Sequence, residues 1–304
     1  MRKVLRWVGF GLAGLVGLGL LGVLSAYAVT RRGVNRTWDI TPAMVTIPAS
    51  SDAAAIKEGQ RLYSARGCAE CHAADGGGKL ALDDPGLGQI YAPNLTKGKG
   101  SAVSSYTDLD WVRCIRHGVK PDHHSVLLMP ANEYNRIGDR ELGMLIAYLK
   151  TVPAIDREPQ PSHLGLIVNI VYALGLFPLV PAELVPHTAA RPVEPPVGVT
   201  VEYGRHLASI QCVGCHGEGL SGGPLPGAPP SLPVPKNLTP DAQTGLGKWS
   251  QDDFLRAMRT GKRPDGSDLN PFMPWRTYSN LNDTEMSALW AYLQSLPAHK
   301  FGGR

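Results

Sequence analysis

The chain lacks most of what hydrolytic, phosphoryl-transfer or nucleic-acid chemistry requires. No Ser/His/Asp set and no acidic pair stands at meaningful spacing, so neither nucleophilic nor carboxylate acid–base catalysis is signalled. Gly76-Gly77-Gly78 follows a cysteine–histidine cluster rather than a strand, which excludes a nucleotide loop. No alternating strand pattern of useful length appears, so the fold class is expected to be mainly α. Excess charge is also missing from the folded part. Residues 1–40 hold six Lys/Arg and one Asp, a net +5 out of the chain's +4, so the remainder is −1. A nucleic-acid partner would need a basic face there.

Cysteine is scarce as well, five in 304 residues, yet four of the five fall in two copies of one motif. These are Cys68-Ala69-Glu70-Cys71-His72 and Cys212-Val213-Gly214-Cys215-His216. Cys-x-x-Cys-His reads as covalent attachment of c-type haem. Two thiols form thioethers to the porphyrin edge, and the adjacent imidazole ligates the iron. A thioredoxin-like pair or half a zinc site uses the same spacing, but duplication argues against both. Each motif opens a long repeat. Tyr106 to Arg113 lies over Trp249 to Arg256, Met129-Pro130 over Met273-Pro274, and Ala147-Tyr148-Leu149 over Ala291-Tyr292-Leu293. Asn94-Leu95-Thr96 matches Asn237-Leu238-Thr239 with one residue of slippage. A repeat this long is two copies of a domain, not a solenoid.

The same alignment predicts helices. Thr107-x-x-Asp110 and Ser250-x-x-Asp253 read as capping boxes, and Gly118 and Gly261 as the stops of the helices they open. The last helix of each unit carries Leu142, Leu145, Ile146 and Leu149, or Met286, Leu289, Trp290 and Leu293, one apolar stripe. Asp139 and Asp283 are the expected N-caps, with Pro153 and Pro297 marking the ends. Asp52 is expected to cap a helix through Tyr63, with 201–209 as its counterpart. Each unit then has long Gly- and Pro-rich loops around a haem that supplies much of the core.

Ahead of the units, Trp7 to Val29 is apolar, flanked by Arg2, Lys3 and Arg6 and by Arg31, Arg32 and Arg36. The run is long enough to span a bilayer. The alternative is a cleaved signal peptide, since Ala26-Tyr27-Ala28 has the small-x-small form. Flanking charge does not orient the run, because both sides are equally basic. Haem c attachment in bacteria occurs outside the cytoplasmic membrane, so the N-terminus is expected inside and both units on the periplasmic side. A second apolar run, Leu164 to Val180, is short for a span, contains Asn169 and breaks at Pro178. A crossing there would strand Cys212 in the cytoplasm. The segment is expected to lie in the membrane interface, to dock on a haem unit or membrane partner, or to act as a linker helix over the first unit. Pro178, Pro181, Pro186, Pro192, Pro195 and Pro196 then read as a semi-rigid linker.

Met129 and Met273 share one repeat position, each before Pro, and are the candidate distal iron ligands; a thioether favours ferrous iron. Met44, Met144, Met258 and Met286 are assigned to packing or to no role. His117, His123 and His124 compete as ligands in the first unit but align with non-His residues and read as surface or loop. The proximal His needs an acceptor for its other ring N–H. A carbonyl near Pro93 or Pro235 is the candidate, alongside those of the Gly-rich loops. Cys114, the fifth cysteine, aligns with Ala257 and reads as a buried inert thiol, with a thiolate iron ligand as the alternative.

These residues resemble class I cytochrome c domains: a helix into Cys-x-x-Cys-His, an Asn-Leu loop, a Met-Pro loop and a C-terminal helix. In the second unit, Asn237-Leu238-Thr239-Pro240-Asp241, Thr244 to Ser250, Asp265-Gly266 and Pro271-Phe272-Met273-Pro274-Trp275 are similar to cytochrome c subunits of membrane-bound bacterial dehydrogenases for alcohols, sugars and aldehydes. The resemblance implies electron transfer, with Cys68, Cys71, His72 and Met129 holding one haem and Cys212, Cys215, His216 and Met273 the other. It departs from those subunits in having two haem units, not three, and an N-terminal anchor. The expected organisation is an anchor or signal segment (1–32), a linker (33–51), a first cytochrome c domain (52–155), a linker with the apolar segment 164–180 (156–200), a second domain (201–298) and a tail (299–304). The expected function is a dihaem carrier, not an enzyme, held in the bacterial inner membrane by its N-terminal helix. It would pass single electrons between redox protein partners of a respiratory or photosynthetic chain, with no nucleic acid and no small-molecule substrate. The alternatives are a dihaem peroxidase or thiosulfate dehydrogenase, and a haem subunit of a larger membrane dehydrogenase or photosynthetic complex.

Overall fold

The computed structural model describes residues 2–189, 193–228 and 232–303; Pro192 of the proline series lies outside them. The apolar run forms α1 (Arg2–Val34), exposed along most of its length, the one described helix long and apolar enough to cross a membrane.

The first unit runs α2 (Ala53–Ala65), α3 (Cys68–His72), β1 (Lys79–Asp84), β2 (Gly88–Ala92), α4 (Asp108–His117), α5 (Ala131–Tyr134) and α6 (Asp139–Thr151). After β3 (His163–Leu164), α7 (Leu166–Ala173) and a 3-10 turn at Pro181–Leu184, the second unit repeats the helices. These are α8 (Val201–Gln211), α9 (Val213–His216), α10 (Gln251–Thr260), α11 (Trp275–Tyr278) and α12 (Asp283–Ser295). First and last helices pack together in each unit, α2 on α6 and α8 on α12. The predicted apolar stripes fill the cores. Leu142, Leu145, Ile146 and Leu149 meet Tyr63, Trp111 and Ile115 in one unit. Met286, Leu289 and Leu293 meet Tyr203, Leu207 and Phe254 in the other, with Trp290 packed against them.

The capping boxes at Thr107 and Ser250 form with both reciprocal hydrogen bonds, and Gly118 and Gly261 close those helices in the left-handed region. Asp52 caps α2. Asp139 and Asp283 are not caps. Each is the first helical residue, behind Gly138 and Asn282 respectively. Asn282 makes the capping box with Glu285, while Asp139 instead accepts from Arg116 at 2.7 Å. A three-stranded antiparallel sheet, β1-β2-β3, was not expected. Its strands are too short to show a period. The Asp84 carboxylate builds the hairpin turn by accepting from the Gly86 and Leu87 N–H groups, both at 2.8 Å. The proline stretch is also no free spacer. Leu179, Val180, Ala182 and Val185 are buried and fold it back on the first unit.

Candidate functional site

Each Cys-x-x-Cys-His forms a single helical turn. Gly67, at φ +81°, admits the chain to α3, which puts Cys68 and Cys71 on adjacent turns and His72 at the end. None of the four motif cysteines is in a disulfide. The His72 Nδ1 lies 3.0 Å from the Pro93 carbonyl oxygen. In the second unit His216 Nδ1 lies 2.6 Å from the Lys236 carbonyl. The acceptor lies where it was expected, near Pro93 and Pro235: in both units it is the carbonyl of the residue just before Asn-Leu-Thr, while Pro235 O itself takes the Gly223 N–H. With Nδ1 engaged as donor, Nε2 is the lone-pair nitrogen left for a metal. Burial pulls the His72 pKa down, which favours the neutral, ligating imidazole.

Glycine makes this geometry possible. Gly78 and Gly222 both take positive φ, +79° and +72°, and donate to the His72 and His216 carbonyls at 2.9 and 3.0 Å. A Cβ on Gly78 would lie 2.4 Å from Ala92 O, and one on Gly222 2.4 Å from Pro235 O. Both positions thus let the acceptor loop close on the histidine.

The role of the Asn-Leu-Thr repeat is plain from the hydrogen bonds, although its spacing alone signals none. Asn94 Oδ1 accepts from the Thr96 N–H and hydroxyl at 2.9 and 2.8 Å, and Nδ2 donates to Ile155 O at 2.7 Å. Asn237 repeats this with Thr239 at 2.9 and 2.8 Å and His299 O at 2.7 Å. Each buried Asn staples the histidine's acceptor loop to the chain just after the last helix.

Met273 packs against the same core cluster as Cys212 and Val213. Met129 is half-buried on a loop where Leu128 takes φ +63°, and among the described residues it is not part of the cluster that receives Cys68 and Ala69. His117 is not a surface residue. It is buried and stacked on His187, with Nδ1 atoms 3.0 Å apart. His123 and His124 are loop residues whose Nδ1 atoms meet Trp38 O and Asp122 O. The Cys114 thiol is half-buried and receives the Tyr106 hydroxyl at 4.0 Å; burial pushes it up to about 11, where it is a poor thiolate.

The two units face each other around their haem motifs, in a reciprocal way. Thr277 on α11 donates to Glu70 inside the first motif at 2.8 Å. At the equivalent place Glu133 on α5 sits over Gly214 inside the second motif. Each motif is thus touched by the short helix that follows the other unit's Met-Pro. Between them Arg66, fully buried, pairs with Glu141 at 2.8 Å and Glu285 at 3.0 Å, and Arg61 reaches Glu285 at 2.6 Å. Burial opposes ionisation of Glu285, but the two guanidiniums more than offset it and hold the carboxyl below its usual range. Burial pushes Glu133 up to about 7 against the weaker pull of Arg136. None of these interface residues was anticipated. The available signal was Glu141 and Glu285 at one repeat position on otherwise apolar helix faces.

Two tandem helical units, each with a Cys-x-x-Cys-His turn whose histidine is oriented from behind, define a class. The cytochrome c family profile matches residues 56–153 and 201–297, and the chain belongs to that family. It is an electron-transfer protein carrying two covalently bound haem c groups. The cysteine pairs, in no disulfide, and the Nδ1-engaged histidines fit such groups. The chain is 29% identical over 280 residues to the fructose dehydrogenase cytochrome subunit of Gluconobacter japonicus, covering 84% of this chain and 56% of that one. It is 29% identical over 270 residues to a diheme cytochrome c-type protein of Cereibacter sphaeroides, covering 79% and 85%. Over 272 residues it is 27% identical to the gluconate 2-dehydrogenase cytochrome c subunit of Pantoea cypripedii, covering 81% and 60%. The chain thus spans little more than half the length of these two dehydrogenase subunits.

Proposed function

We propose that this chain is a membrane-anchored dihaem relay that takes single electrons from a dehydrogenase and passes them to a further redox protein. Haem iron supplies the one-electron chemistry. Cys68 and Cys71 would hold one haem and His72 and Met129 ligate it; Cys212, Cys215, His216 and Met273 would do the same for the other. In this reading α1 anchors the chain in the bacterial inner membrane, N-terminus inward, with both haem units on the periplasmic side where haem c is attached.

The observation that carries the relay reading is the reciprocal contact of the motifs, Glu70 with Thr277 and Gly214 with Glu133. It brings both attachment loops to one interface between the units, so the haems they would hold would lie close enough for an electron to pass from one to the other. A carrier holds its ligands fixed through oxidation and reduction, and the carbonyl bonds to both histidines serve that need. The dehydrogenase donor is supported by the names of two relatives, a fructose and a gluconate dehydrogenase cytochrome subunit. The substrate oxidised upstream belongs to the donor, not to this chain.

The test is purification in mild detergent, with intact mass and redox titration. The expected result is two haems on the polypeptide, a co-purifying dehydrogenase subunit, and two potentials lowered one at a time by Met129→His and Met273→His, since imidazole favours ferric iron relative to thioether. One haem only would sink the relay. Unchanged spectra and potentials in either variant would remove that Met as a ligand. Sustained peroxide or thiosulfate turnover by the purified chain would replace the carrier with an enzyme.

A further inference from the structure

The segment between the haem units carries no charged side chain from Leu164 to Val180. Its helix, α7, does not cover a haem unit alone; it packs along the outer third of α1. The α1 residues buried by this are Ala26, Thr30 and Gly33, spaced by four and three, one helical face. Thr30 Oγ1 approaches Asn169 O at 3.4 Å, and the Tyr172 ring fills the space that a side chain at Gly33 would occupy. Both polar side chains of α7 are hydrogen-bonded within the protein, Asn169 out of solvent and Tyr172 half-buried. Asn169 is buried and donates to Gly165 O at 2.6 Å, and the Tyr172 hydroxyl donates to Glu183 at 2.9 Å.

What α7 and the turn after it expose is wholly apolar. Leu166, Ile167, Leu174 and Leu176 are 58, 51, 66 and 41% exposed. Between α7 and α1 runs an apolar groove of about 410 Å³, with Gly19, Gly22 and Val23 on one wall and Ile170, Ala173 and Leu174 on the other. Its depth follows from helix geometry. Gly19 lies eleven residues before Thr30, roughly 16 Å along a helix rising 1.5 Å per residue. Half of a hydrocarbon core about 30 Å thick is about 15 Å. Arg31 and Arg32 stand at the outer end of α1, where a headgroup boundary would fall.

We propose that α7 is a second membrane contact: a half-span wedge sunk beside α1 into the outer leaflet, with lipid acyl chains in the α1–α7 groove. This rests on the reading that α1 crosses the membrane. The lipid is favoured as occupant by continuity. The groove opens on the same exposed apolar surface as the membrane half of α1, at the depth of acyl chains, and Ser25 is the one polar side chain among its lining residues. The wedge also ties the anchor to both haem units. Ile167 packs on Gly86 of the first, and Leu176 on Gly227 of the second. The haem units are therefore held at one height and tilt above the bilayer rather than swinging on a tether.

The experiment uses the full-length holoprotein in its native membrane and in phosphatidylcholine/phosphatidylglycerol vesicles. A photo-crosslinking diazirine residue is placed at Leu174, and environment-sensitive fluorophores at Leu12, Leu174 and Val199, each as a single exposed cysteine in a Cys114→Ala background. Expected are lipid adducts at Leu174 in the native membrane. Nitroxide on lipid acyl chains should quench Leu12 and Leu174 at least threefold more than Val199. Quenching at Leu12 but only aqueous iodide quenching at Leu174 overturns the wedge and leaves the anchor intact. Iodide quenching at both positions defeats the anchor reading itself. A polypeptide adduct at Leu174 in the native membrane overturns the lipid occupant in favour of a partner helix.

Discussion

At Gly78 and Gly222 it is the absence of a side chain that lets the carbonyl loop orient the histidine of each motif. Gly222→Ala would force Lys236 and its carbonyl away from His216 and impose a left-handed conformation on alanine, costing about 1–3 kcal/mol. The expected outcome is a lower melting temperature and a shift of the second haem's potential only, read by thermal denaturation and redox titration. Glu133 acts differently. Its folded-state pKa, pushed up to about 7, lies above that of a solvated carboxyl near 4.3, so the native state binds the extra proton between these values. By linkage, its contribution to stability falls as pH rises from about 4.3 to 7. Glu133→Gln should flatten that part of the curve, measured by urea denaturation from pH 4.5 to 7.5. An unchanged slope would mean that Glu133 is solvated.

Among the elements, the paired α4 and α10 helices owe their starts to one device. Ser250 accepts from the Asp253 N–H while Asp253 accepts from the Ser250 N–H, at 3.1 and 3.0 Å. Ser250→Ala should cost about 1 kcal/mol, and Asp253→Ala a similar amount, seen as a lowered denaturation midpoint. The pair should be less than additive, because each partner serves the other's bond. Asp139 looks like the same kind of residue in sequence. Its carboxylate goes to Arg116 instead, so Asp139→Asn should weaken an ion pair and leave the α6 start unchanged.

For the whole molecule, the decisive feature is the buried charge cluster between the haem units. Arg66 bridges Glu141 and Glu285, one from each unit, and Arg61 supplies the second positive charge on Glu285. Replacing one member of a buried ion set leaves the others uncompensated, at a cost of about 3–5 kcal/mol. Arg66→Met is therefore expected to separate the units, lower the unfolding midpoint and slow electron exchange between the haems, while each haem keeps its own spectrum. Flash-photolysis kinetics with small-angle scattering would check this; a compact variant with wild-type exchange would contradict it. Acid should act on the same contact. The Glu285 carboxyl is held below its usual range, so the stability it adds is present above about pH 4.3 and is lost as pH falls through the depressed value.

Much of this was legible in one dimension. The haem motifs, the repeat, the capping boxes and the apolar stripes are local patterns, and local patterns survive without knowledge of the fold. Duplication sharpened them, because a position meaningful in both copies is rarely accidental; Thr107 with Ser250 and Asn94 with Asn237 are examples. What needed three dimensions was everything that joins segments far apart in the chain. The Asn94 staple reaches 61 residues ahead, and the contact of Arg66 with Glu285 spans 219. No periodicity encodes such pairings. The sheet, the folded-back linker and the buried His117–His187 stack were missed for the same reason. The sequence by itself determined the cofactor class, because the attachment motif needs only five adjacent residues. The tertiary structure alone decided how those sites face each other and where α7 lies, because burial of charge and apolar surface depends on partners that only folding brings within reach.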